Sequence, residues 1–147
     1  MARDIGLLVL RLAGLYLALG HGWGKIVGLA SGQSRFVQGL AEMGFPAPIV
    51  FAWAAALAEF AGGLCVALGF FTRWAAAFAA FTMFVAAFRR HRALSHLLSW
   101  LGIAPASEEA LKAWGSPELS LAYLTIMLGL VLLGPGRFSI DAKLGRK

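Results

Sequence analysis

The sequence predicts an all-α integral membrane protein, a four-helix bundle with short interfacial helices in its loops. Three observations lead there. Of 147 residues, 60% are hydrophobic and only 14% charged, and the mean hydropathy is +0.77. A soluble domain carries about 25% charge and about 45–50% apolar residues, and a chain this small cannot bury such an excess within itself. The apolar residues also fall into four runs, over residues 5–29, 48–71, 74–92 and 117–134, against the roughly 20 residues a helix needs to cross hydrocarbon. Finally, the basic residues lie mainly between and beyond these runs, at the level of anionic headgroups. The length suits one transmembrane domain, residues 1–147.

The first run is interrupted by Asp4 and Arg11 and is too long for the apolar region of a signal peptide. Gly14, Ala18 and Gly22 recur every four residues along it, and Gly20, Gly24 and Gly28 form a second stripe. Such spacing lets backbones approach closely in lipid. In the following loop Ser34 is placed to cap a short helix with Phe36, Leu40 and Met43 on one face, ending at Gly44. Phe45-Pro46-Ala47-Pro48 then turns the chain into the second run. The third run is short unless its helix continues through Arg89, Arg90 and Arg92, whose stems can snorkel to the headgroups. Between the third and fourth runs, Ser107 precedes a segment that aligns Leu111 with Trp114 and closes at Gly115. Both loop segments read as amphipathic pieces at one membrane surface. The fourth run opens on Ser116 as a cap, Pro117 at the first helical position and Glu118 at the positive helix end. Gly134-Pro135-Gly136 stops it.

Thirteen Lys and Arg against seven Asp and Glu give a net charge of +6. No basic groove interleaved with aromatics is present, so nucleic acid is not an expected partner. Arg3, Arg73, Arg137, Lys143, Arg146 and Lys147 fall on the face of the termini, and as many basic residues fall opposite. Arg11 tips the balance towards cytoplasmic termini. Cys65 is the lone cysteine, which excludes an intramolecular disulfide and a Cys-x-x-Cys relay.

The embedded ionisable residues are the candidate site. A charge at the bilayer centre costs roughly 2.5–3.5 kcal/mol on insertion scales, so such residues are usually paired and functional. At ~100° per residue, Arg11, His21 and Lys25 fall within about 80° of one another on the first helix. Glu59 falls near the middle of the second run, ~16 Å from its loop-side end, with His21 at ~12 Å and Lys25 at ~6 Å on the same estimate. His21 is therefore the nearest expected partner, with Lys25 reaching up and Arg11 reaching inwards from the far side. The cluster reads either as a polar clamp fixing helix register or as a proton-handling site beside a quinone. A haem held by His21 with His91 or His96 is not enforced by any spacing. The sequence contains no metal-ligand cluster, nucleophile elbow, phosphate loop or dinucleotide fingerprint.

Several stretches resemble the DoxX family of small membrane proteins. Arg11-Leu12-Ala13-Gly14 and His21-Gly22-Trp23-Gly24-Lys25 are similar to its first helix, and Gly44-Phe45-Pro46-Ala47-Pro48 to its first loop. Glu59-Phe60-Ala61-Gly62-Gly63 with Leu68-Gly69-Phe70-Phe71-Thr72-Arg73 resembles the second helix and turn, and Gly134 to Asp141 the C-terminal signature. The likeness is weakest from His91 to Ser116. It implies a four-helix protein of the bacterial inner membrane. Some members form the membrane part of a thiosulfate:quinone oxidoreductase, and others associate with redox or detoxification enzymes. The expectation is a redox-linked accessory or anchoring subunit whose partners are lipid and other membrane subunits. The alternatives are a quinone-reactive oxidoreductase using Glu59, His21, Lys25 and Arg11, or a small transporter or channel.

Overall fold

The computed structural model describes residues 1–32 and 34–146; Lys147, counted above with the terminal basic residues, lies outside them. The described residues are helical with no strand: α1 (Ala2–Ala30), α2 (Arg35–Glu42), α3 (Pro48–Leu68), α4 (Thr72–Val85, extended by a π-helical turn, Ala86–Arg90), α5 (Ala93–Trp100), α6 (Glu108–Trp114), α7 (Glu118–Leu133) and α8 (Ile140–Lys143).

Local chemistry sets the ends of these helices. Pro48 opens α3, where its missing N–H costs nothing. Gly69, at φ +71°, closes it with a Schellman pair: Phe70 N–H donates to Cys65 O and Gly69 N–H to Val66 O. Ser107 Oγ accepts from Ala110 N–H and caps α6. Pro117 rather than Ser116 takes the cap position of α7, so the helix starts one residue later than expected, and Gly134 at φ +79° ends it. Ser34 makes no side-chain cap to α2.

The long helices pack in the order α1, α3, α4, α7, with α7 returning to α1. On α4 the buried Ala75, Ala76, Ala79 and Ala80 present a smooth face. Met127 and Leu130 of α7 and Leu7 and Leu17 of α1 complete that core. A second core, Leu29, Leu40, Ala52 and Ala56, fixes α2 against α1 and α3. Facing outwards, Trp74, Phe78, Phe81 and Leu132 are each more than 60% exposed, an apolar belt that lipid covers. This is an all-α membrane protein.

Length and composition qualify α1 and α3 to cross a membrane, and α7 only together with α6, bent 48° away from it. Four independent spans were expected. The difference lies in α7, which has 16 residues and covers ~24 Å of a hydrocarbon core about 30 Å thick, and in α4, which carries Arg73 in its first turn and Arg89 and Arg90 in its last. Arg92, expected within that helix, lies beyond it at φ +48°. Helix α5 was not expected at all.

Only one of the two glycine stripes is used within the chain. A Cβ on Gly14 would come 2.5 Å from Gly63 O, and one on Gly22 would come 2.5 Å from Phe60 N. Bare backbone at these positions is what lets α1 and α3 touch. Gly20, Gly24 and Gly28 meet nothing within 4 Å.

Candidate functional site

The close approach of α1 and α3 brings Lys25 to Glu59. Lys25 Nζ lies 2.5 Å from Glu59 Oε1, and Glu59 is 1% exposed while the lysine side chain is 25% exposed. The ammonium also sits 4.4 Å above the Phe36 ring of α2, a cation–π contact. Trp23 and Phe60 pack beside the pair's helices at 5.6 Å between ring centroids. Glu59 Oε2 is buried and has no hydrogen-bond partner among the described residues.

His21 and Arg11 stand apart from this pair. His21 is exposed and turns its ring edge-on to Tyr123 of α7, 5.8 Å between centroids. The reason is the π-helical turn Ala18–Gly22. A wider turn between Arg11 and Lys25 breaks the count of 100° per residue, so the expected common face does not survive it. Nor do the histidines converge: His91 Nδ1 lies 2.7 Å from Trp114 O, and His96 packs edge-on to the Trp114 ring. Among the described residues no three His, Cys, Asp or Glu side chains stand together as a metal site.

Arg11 belongs to a second polar cluster at the opposite end of the helices. It is 1% exposed, and one guanidinium nitrogen donates to Phe138 O. The group lies so close over Gly69 that a side chain there would collide with it. Asp141, whose N–H donates to Gly69 O at 2.8 Å, is the carboxylate of this cluster. Phe71 N–H donates to its Oδ1 at 2.9 Å, and the N–H and hydroxyl of Thr72 both donate to Oδ2 at 2.8 Å. Asp141 thus caps α4 from a distant part of the chain and holds Phe71 at φ +45°, an uncommon conformation for a bulky residue. Burial pushes its carboxyl up, but the bonds from Thr72 and Phe71 and the charge of Arg146 outweigh burial and hold it below the usual 3.8. Asp4 accepts from Arg137 N–H at 3.0 Å. Arg73 donates to the last carbonyls of α7, Val131 O and Leu132 O. The sequence places Asp141 in the C-terminal signature without assigning it a role. Its one local signal is a carboxylate two residues after Ser139, itself a cap, beyond a helix stop.

The DoxX family model matches residues 6–92, which include Arg11, His21, Lys25 and Glu59. The chain is also 33% identical over 147 residues to "Inner membrane protein YqjF" of Escherichia coli (strain K12), covering 98% of this chain and 95% of that protein. The chain belongs to the DoxX family. Within this DoxX protein the matched region ends at residue 92, before α5 and the loop whose likeness was weakest. No solved structure matches the chain.

Proposed function

We propose that this DoxX protein is a redox-linked accessory or anchoring subunit of a larger complex in a bacterial inner membrane. The observation that carries this reading is the closed Lys25–Glu59 pair. The two charges engage each other across the α1–α3 contact, as a register clamp that fixes one helix against its neighbour does. The relative from Escherichia coli bears an inner-membrane name over nearly the whole length, and the exposed apolar belt suits both lipid and flat docking against other membrane subunits. Purification from native membranes in mild detergent tests it. A stoichiometric partner that carries a redox cofactor, identified by absorbance and mass spectrometry, is expected. Quantitative recovery of the chain alone from gently solubilised native membranes would overturn the reading.

One observation favours the quinone-reactive alternative. Glu59 Oε2 is buried and unpartnered, and a carboxyl protonated at that oxygen would donate a hydrogen bond, and then its proton, to a quinone oxygen as an electron donor in the complex reduces the ring. Glu59→Gln separates the two readings. A variant that accumulates and stays folded but loses quinone reduction supports the oxidoreductase. A variant that accumulates poorly, with no activity to lose, supports the clamp.

A further inference from the structure

The face that carries the described termini holds a cavity of about 460 Å³ between the start of α1, the start of α4 and the segment after α7. Its volume lies within the roughly 300–1,000 Å³ range of ligand pockets, and Arg3, Arg73, Arg137 and Arg146 line it. None of the four pairs with a carboxylate among the described residues. Asp4, the acidic residue in the wall, is already engaged by Arg137 N–H at 3.0 Å and by the Met1 ammonium at 3.8 Å. Arg3 and Arg73 each give part of the guanidinium to carbonyls at the end of α7. The Arg146 guanidinium carbon lies 4.2 Å over the Phe71 ring, a cation–π contact that positions the group. The Arg137 side chain makes no hydrogen bond among the described residues.

From this we infer that the cavity binds the phosphate of an anionic phospholipid headgroup. Guanidinium groups match phosphate oxygens in paired, charge-assisted bonds, and four arginines against Asp4 in the wall and Asp141 near Arg146 leave a net positive field for an anion to neutralise. Their position selects a lipid over a soluble anion. All four lie where the long helices end, the level of the headgroups. Leu133, half exposed, lines the same cavity, and the exposed Ile5 and Phe138 stand close by in sequence to Arg3 and Arg137, placed to meet acyl chains.

The test is thermal unfolding and native mass spectrometry of the full chain in mild detergent. The ligands are phosphatidylglycerol, phosphatidylcholine, glycerol phosphate and polyglutamate. Phosphatidylglycerol should raise Tm and remain bound. Arg3→Gln and Arg137→Gln should each weaken its binding about fivefold, and the double variant about thirtyfold, since a basic residue near the surface contributes about 1 kcal/mol. Without lipid, Tm should stay near that of the parent, and Arg90→Gln on the opposite face should bind as the parent does. Equal binding of phosphatidylcholine, undiminished affinity in the double variant, or equal stabilisation by glycerol phosphate would overturn the assignment. Equal stabilisation by polyglutamate would also overturn it, in favour of an acidic protein partner.

Discussion

Two carboxylates are buried at different depths in this molecule, and they are satisfied in different ways. Glu59, within the bilayer, has one partner and one oxygen left over. Asp141, at the membrane face, receives three hydrogen bonds of 2.8–2.9 Å from the first residues of α4. A pair of the first kind gains attraction in a low dielectric but bears the desolvation of both charges, so its net contribution to stability is small. It selects one register between α1 and α3. A carboxylate of the second kind satisfies orphan N–H groups that any helix start would otherwise expose, so it contributes stability directly.

The largest effect should follow from breaking the embedded pair on one side. Lys25→Met leaves Glu59 buried without a counter-charge, which costs about 3–5 kcal/mol and should show as low membrane abundance and a depressed Tm. The double variant Lys25→Met with Glu59→Met should recover most of that loss, because apolar replacements of a buried pair are often neutral. A double variant as poor as the single one would show that the pair stabilises the fold outright and would erase the contrast.

Asp141→Ala should cost about 2 kcal/mol through loss of charge-assisted bonds and of a cap. Faster backbone hydrogen exchange confined to the start of α4 would report it. Gly63→Ala should cost about 1–2 kcal/mol by forcing α3 away from Gly14 O and Ala18, whereas Gly24→Ala, which meets open space, should leave Tm unchanged or slightly raised. These two substitutions sharpen the comparison by showing whether the α1–α3 contact, rather than the ion pair, holds the helices together.

The smallest effect lies in acid. Because Asp141 titrates below its usual 3.8 in the folded protein, its stabilising contribution is complete above that value. It fades as pH falls through the folded pKa. Unfolding in detergent between pH 6 and pH 3 should therefore show an acid-side loss that Asp141→Asn reduces.

Composition was enough to read the helices and their lipid surroundings, because an excess of apolar residues has few other solutions in so short a chain. A close helix approach was legible from the small residues Gly14, Ala18 and Gly22, but not that α3 is the partner, nor that the equally spaced Gly20, Gly24 and Gly28 would stay open. Two further things were not legible. The π-helical turn at Ala18–Gly22 has no composition of its own, and it moved His21 out of a face that helical counting had assigned to it. The role of Asp141 depends on a contact 69 residues away in sequence, which no local pattern encodes. Arg11 was hidden in the same way, since its acceptor Phe138 O lies 127 residues away in sequence.

The fastening of α4 has a consequence for the order of assembly. Phe71 and Thr72 enter the membrane with the second and third long helices, yet the carboxylate that secures them is synthesised about seventy residues later. Until the ribosome delivers that stretch, the guanidinium of Arg11 also lacks its acceptor, and the start of α4 is free to fray. Insertion and consolidation of α4 are therefore separate events in this chain, and nascent protein halted before residue 138 holds α1 against α3 but leaves the start of α4 without its cap.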